Sequence, residues 1–237
     1  MDVGPVLLPL PKREVHVWHT DFARPSSSLY DLLAPEERER ASRFKVEPAR
    51  EQFIISHAFL RLALERYLGI PARDIKFRVA AYGKPELDLA TDLNFNLSHT
   101  EGTAVLAVAR ERRLGVDVER VRENLKPLEL AERFFSSAET AWLRSQPTTQ
   151  RFSSFFACWT AKEAYIKACG NGLSMPLSGF SIIPQPANKP LRIKFHDTTE
   201  SSAAWTLWQL DLGPELRAAL AAEGRELRVD LRSWSWR

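Results

Sequence analysis

The sequence predicts an α+β chain made of two similar halves, residues 1–112 and 113–237. Two observations carry this. Residues 49–68 and 150–169 are the two long helical patterns, about a hundred residues apart, and each is followed by short apolar strand patterns. The order is also repeated: helix 50–68 and strands 75–80, 104–109 and 114–119 find counterparts in helix 152–169 and strands 180–183, 205–210 and 227–232. Residue identity between the halves is negligible, so the repeat is one of pattern, and a chain that merely alternates helix and strand gives the same impression.

The elements follow in order. Residues 14–19 alternate apolar and polar, as a strand at a sheet edge does. Pro35, Glu36 and Glu37 open a helix that runs to residue 44, with proline and acids in its first turn. Phe53, Ile54, His57, Leu60, Leu64 and Leu68 recur at helical spacing through 49–68, and Gly69 with Pro71 ends that helix. Residues 74–80 read as a strand, Tyr82-Gly83-Lys84-Pro85 as a turn, 95–99 as extended, and 103–109 and 114–119 as strands joined by a charged turn. In the second half 128–135 is helical, Ser136 and Glu139 start another helix, and 150–169 is the strongest helix, stopped by Gly170 and Gly172. Residues 180–183, 191–195, 205–210 and 227–234 read as strands, with 184–190 a loop.

Composition bounds the function. The 237 residues suffice for a sizeable core, and 44% hydrophobic with 27% charged residues is ordinary for a globular protein. A net charge of +3 suits a solvated surface, an anionic ligand or an acidic protein partner; with no basic run interleaved with aromatics, nucleic acid is not expected. Cys158 and Cys169 fall on one predicted helix roughly 16 Å apart, which excludes a disulfide between them and fits reduced thiols in the cytoplasm. Residues 1–10 lack the basic start of a signal peptide, and no apolar run reaches the ~18 residues of a membrane span. A soluble, intracellular protein is expected.

Several residues could carry chemistry. Asp117 and Glu119 lie two apart on a predicted strand and so share a face. Paired acids there call for a cation, either a hard divalent ion such as Mg²⁺ or a neighbouring Arg120 or Arg122. Glu163 and Lys167 share a helix face at four-residue spacing, as a surface ion pair or, given apolar Trp159, Tyr165 and Ile166 around them, as a third ligand with a phosphate contact. Ser98-His99 ends an extended segment, where the histidine is a proton shuttle, a phosphate donor or a core histidine. Lys84 sits in a tight turn without the rest of a nucleotide-binding P-loop.

In order along the chain, Tyr82-Gly83-Lys84-Pro85, Phe95-Asn96-Leu97-Ser98-His99, Gly115-Val116-Asp117-Val118-Glu119, Arg133-Phe134-Phe135-Ser136, Trp159-Thr160-Ala161-Lys162-Glu163-Ala164-Tyr165-Ile166-Lys167 and Gly170-Asn171-Gly172-Leu173 resemble the 4′-phosphopantetheinyl transferases. The length is similar to that of the larger, monomeric type that activates surfactin synthetase and related enzymes. The resemblance implies a pseudo-twofold fold of two α+β halves with coenzyme A in a cleft between them. It also implies Mg²⁺ (or Mn²⁺) on Asp117, Glu119 and Glu163, and phosphate contacts from His99 and Lys167 beside Ser98. Lys84, Arg50 and Arg40 match residues that hold the nucleotide, Lys162 falls within the helix motif of the coenzyme A site, and Glu139 matches an acid near it. Glu37 departs from the pattern, since some relatives carry a lysine there; nucleotide binding is then expected to lean on Arg40, Arg43 and Arg50.

The implied reaction is attack of a carrier-protein serine on the β-phosphate of coenzyme A, with Glu163 as base, Lys167 and His99 stabilising charge, and 3′,5′-ADP leaving. The partners would be apo acyl or peptidyl carrier proteins of fatty-acid, polyketide or peptide synthesis, docked around residues 128–135. A metal-dependent nucleotide phosphohydrolase and a non-catalytic coenzyme A or carrier-protein binding module are the rival readings.

Overall fold

A computed structural model describes residues 7–23, 26–80, 83–170, 175–183, 190–196 and 204–236. Tyr82, residues 171–173 of the glycine motif and most of the 184–190 loop lie outside them. The chain divides into two compact units. The first comprises 1–79, 85–111 and 228–237, and the second comprises 80–84 and 112–227. The division falls close to residue 112, but residues 80–84 belong to the second unit and 228–237 to the first.

In the first unit, strand β1 (Glu14–Asp21) is followed by helices α1 (Pro35–Ser42) and α2 (Glu47–Leu68), a short hairpin of β2 (Phe77–Val79) and β3 (Pro85–Leu87), and strands β4 (Leu93–Thr100) and β5 (Thr103–Arg110). The predicted strand at 74–80 shrinks to β2, because residues 72–74 take up a turn of 3₁₀ helix. Strand β11 (Arg228–Ser233) completes a sheet of order β11-β1-β5-β4, parallel between β11 and β1 and antiparallel elsewhere. The apolar stripe of α2, with Phe59, Leu60, Ala63 and Leu64 all buried, packs with Trp18, Phe95, Leu106 and Val108 of that sheet. Gly69, in the left-handed conformation at φ 69°, ends α2 as expected. His16 is buried, with Nδ1 2.9 Å from the Tyr67 hydroxyl, which also accepts from Trp18 Nε1 at 2.7 Å.

The second unit runs β6 (Leu114–Arg120), α3 (Pro127–Phe134), α4 (Ser137–Ser145), α5 (Arg151–Cys169), the hairpin β7 (Phe180–Ile183) and β8 (Arg192–Phe195), then β9 (Trp205–Leu210) and β10 (Leu216–Glu223). Its sheet has the order β6-β10-β9, all antiparallel, and α5 covers it. β10 is a strand that the sequence pattern does not indicate. Its run Ala218–Ala222 has the small residues that a helix packed this closely demands, although alanine is a poor strand former. Leu128, Leu130 and Phe134 of α3 are half-buried against the core and Phe135 is buried.

The repeat exists in a different arrangement from the predicted one. Each unit has a long helix, a short hairpin and a longer antiparallel pair: α2, β2–β3, β4–β5 and α5, β7–β8, β9–β10. Strand 114–119 is part of the second unit itself, where it pairs with β10, and strand 228–233 joins the first unit. The fourth correspondence drawn from sequence is therefore wrong. Both cysteines are free thiols, and no described helix is long and apolar enough to cross a membrane.

Candidate active site

The site in the second unit begins with a glycine. A Cβ on Gly115 would lie 2.2 Å from the backbone oxygen of Ala164 and 2.4 Å from the backbone nitrogen of Ala168. Only glycine lets β6 approach α5 this closely, and that approach sets Asp117 of the strand beside Lys167 of the helix. The Lys167 ammonium donates to Asp117 Oδ1 at 2.6 Å, and Asp117 is 5% exposed. Lys84 Nζ donates to the backbone oxygens of Leu114 at 3.2 Å and Lys167 at 3.0 Å, tying the start of β6 to the end of α5.

Glu163 belongs to the same cluster. Burial, then the charge of Asp117, raises its carboxyl above the ordinary carboxylate range; Glu119 adds to the rise and Lys167 opposes it. Glu119 accepts from Arg122 at 3.3 Å, while Arg120 turns away to Glu215 at 2.6 Å. Of the cations the sequence offers this pair, Arg122 meets Glu119, while Asp117 is met by Lys167, which helix spacing alone pairs with Glu163. Among the described residues no three His, Cys, Asp or Glu side chains converge closely enough to hold a metal ion as they stand. The expected meeting of Asp117, Glu119 and Glu163 around one point is incomplete, with Lys167 and Arg122 holding two of the three acids.

Lys162 requires a correction. Its side chain is fully buried, and Nζ donates to the Leu177 oxygen at 2.7 Å, the Phe180 oxygen at 2.5 Å and Glu139 Oε2 at 2.9 Å. Those three acceptors use every donor a lysine has, so Lys162 holds the core and cannot contact a ligand. Glu139 is its counterpart. It accepts from Ser136 N at 2.9 Å, Ser136 Oγ at 2.8 Å, Ile182 N at 2.7 Å and Cys158 Sγ at 3.3 Å, and so joins the N-cap of α4 to β7.

The remaining candidates lie in the first unit. Ser98 and His99 are successive residues of β4 and face opposite ways, Ser98 buried and His99 exposed. His99 Nδ1 lies 2.7 Å from Gln52 Nε2 of α2. Arg40 stacks 5.2 Å over the Phe53 ring and lines a cavity of about 680 Å³ with Glu37, His57, Arg61 and Arg78. Arg50 lies 3.5 Å from Glu47 and Arg43 pairs with Glu39; neither lines that cavity.

Glu37 turns inward. It meets His57 Nδ1 at 2.8 Å, and its Oε2 accepts from Arg61 Nε at 2.6 Å and Ala34 N at 3.0 Å. Burial works against this carboxylate, but the hydrogen bonds and charges of His57 and Arg61 hold it below the usual range. The unexpected acid thus neutralises a buried arginine and caps α1. Neither His57 nor Arg61 stands out in the sequence, because the partner that gives each a role is 20 or more positions away.

The sequence matches known families across most of its length. Residues 113–222 match the 4'-phosphopantetheinyl transferase superfamily, and residues 18–111 match the 4'-phosphopantetheinyl transferase N-terminal region. The chain is 36% identical over 226 residues to the 4'-phosphopantetheinyl transferase HetI of Nostoc sp. strain PCC 7120, covering 93% of this chain and 92% of that one. It is 33% identical over 153 residues to the 4'-phosphopantetheinyl transferase Sfp of Bacillus subtilis strain 168, covering 64% and 66%.

Proposed function

The chain belongs to the 4'-phosphopantetheinyl transferase superfamily, and we propose that it moves the phosphopantetheine arm of coenzyme A onto a serine of an apo acyl or peptidyl carrier protein. The observation that carries this reading is the cluster of Asp117, Glu119, Glu163 and Lys167 where β6 meets α5. Three carboxylates without a thiol or imidazole are a hard oxygen donor set, which fits Mg²⁺ or Mn²⁺. Asp117, Glu119 and Glu163 would hold that ion, and when bound it supplies positive charge to the pyrophosphate of coenzyme A.

The protein's own groups do the rest. Lys167 brings an ammonium to the cluster and offers it to phosphate oxygens as charge grows there. Glu163, the carboxylate that α5 brings to the cluster, takes the proton of the carrier serine as its oxygen attacks the β-phosphate. His99 donates a hydrogen bond to phosphate; Ser98, buried on the opposite face of β4, does not share that contact through its side chain. Arg40 holds the nucleotide end, which leaves as 3′,5′-ADP. Arg43 and Arg50, engaged with Glu39 and Glu47, contribute less than the sequence suggests. Lys84 acts by fixing the β6–α5 junction as well as by its charge. The enzyme works as a cytoplasmic monomer.

The test is to mix the protein with apo carrier, coenzyme A and Mg²⁺ and weigh the carrier. A gain of one phosphopantetheine is the expected result. Unchanged carrier with hydrolysed coenzyme A would make the protein a phosphohydrolase, and no chemistry at all would make it a binding module.

A further inference from the structure

We propose that Gln52 is a positioning residue for His99. Its side-chain amide holds the imidazole in the tautomer protonated on Nε2, so that the histidine meets an anionic phosphate oxygen with an N–H. The consequence for catalysis rests on the functional reading above; the tautomer itself rests on the orientation of the Gln52 amide.

The two side chains come from elements fixed by burial. Gln52 is on α2 next to buried Phe53, Ile54 and Ile55, and His99 is on β4 between buried Ser98 and Thr100. Gln52 Nε2 stands 2.7 Å from His99 Nδ1, within hydrogen-bond range. An amide nitrogen has two protons to donate and cannot accept, so Nδ1 must be the acceptor and must be unprotonated. A neutral imidazole with a bare Nδ1 carries its proton on Nε2.

The choice has a functional edge. With the proton on Nε2 that atom donates to a phosphate oxygen. With the proton on Nδ1, Nε2 presents a lone pair, which repels an anion. An amide turned the other way would place its oxygen on Nδ1 and impose the opposite tautomer, so the two orientations make opposite predictions. Replacing Gln52 by glutamate does the same by chemistry, since a carboxylate accepts only and draws the proton to Nδ1.

The experiment uses the full chain labelled with ¹⁵N-histidine, long-range ¹H–¹⁵N spectra at pH 8, and a His99→Ala variant to identify the His99 signals. Wild type is expected to show a protonated Nε2 and a bare Nδ1, Gln52→Glu the reverse, and Gln52→Leu a mixture. Because the bond at stake is one hydrogen bond, the KM for coenzyme A is expected to rise about 2- to 12-fold in Gln52→Glu, with a smaller change in kcat. In the His99→Ala background the uncharged Gln52→Leu should change KM less than about twofold and less than it does with His99 in place, because its effect runs through the missing ring. A proton on Nδ1 in wild type, or a tautomer indifferent to both Gln52 variants, overturns the proposal. A tautomer that follows Gln52 with no change in KM supports the positioning and overturns the assignment of His99 to a phosphate.

Discussion

Replacing Gly115 by alanine should separate the two halves of the proposed catalytic cluster. The added methyl would sit 2.2 Å from the Ala164 oxygen, 2.4 Å from the Ala168 nitrogen and 2.9 Å from the Lys167 carbonyl carbon, where ordinary contact begins at 3.4 Å. All three are backbone atoms of α5, so no side-chain rotation relieves the clash. The helix has to back away from β6 by about an ångström. Overpacking of this kind costs about 1–3 kcal/mol, which at this chain length lowers Tm by roughly 2–12 °C. The same shift pulls Lys167 and Glu163 away from Asp117, and a displacement of about 1 Å can lower turnover about 100-fold. Urea unfolding and a carrier-transfer assay on the same preparation read both effects. Gly179→Ala is the control, because its methyl would meet only Pro176 Cγ at 3.6 Å. A Gly115→Ala protein as stable and as active as that control would refute the reasoning.

Three other outcomes are expected. Asp117→Ala and Glu163→Gln each lower turnover by roughly 10²–10⁴-fold, and in chelator-treated buffer Glu163→Gln raises Tm, because it removes a charge that burial and Asp117 disfavour; normal turnover in either would sink the cluster assignment. Lys162→Met or Glu139→Gln alone costs about 3–5 kcal/mol in chemical unfolding, since each strands a fully buried partner, and a loss below about 1 kcal/mol would show the pair to be dispensable. Burial first, and Arg232 second, hold His16 below its ordinary value of 6.5, while Glu14 and Asp230 oppose the shift. The unfolded chain therefore takes up a proton near 6.5 that the folded one refuses, so this stability is intact above that pH and is lost as pH falls below it. His16→Gln should flatten the fall between pH 6.5 and 5; an unchanged slope would contradict it.

The local and periodic parts of the structure were readable from sequence. α2 and α5 announce themselves by apolar spacing and by the glycines that end them, and β4, β5 and β6 by short apolar runs. Strand and helix periods put Asp117 on one face with Glu119 and Glu163 on one face with Lys167, but it is the resemblance to the 4′-phosphopantetheinyl transferases that joins the two pairs into one site. What escaped depends on partners distant in sequence. β10 reads as a poor strand because its alanines answer to α5, an element that ends at residue 169. Lys162 sits inside a motif with candidate site residues, yet its three acceptors at 139, 177 and 180 make it structural. Glu37 reads in sequence as a missing phosphate contact; its partners Arg61 and His57, 24 and 20 positions away, give it a structural role.

The pairing of β11 with β1 has a consequence for how the chain is made. Glu14 lies opposite Arg228, so the first unit's sheet joins segments separated by all of the second unit. At ordinary rates of synthesis, roughly 5–20 residues per second, residues 112–227 take on the order of ten seconds to appear before β11 exists. Through that interval the nascent β1, with its buried Val15, Val17 and Trp18, has an open edge able to pair with another chain. The second unit, by contrast, has all three strands of its sheet by residue 223 and can close first. Translation order and folding order then run opposite ways for the two units: the one begun first is the one finished last.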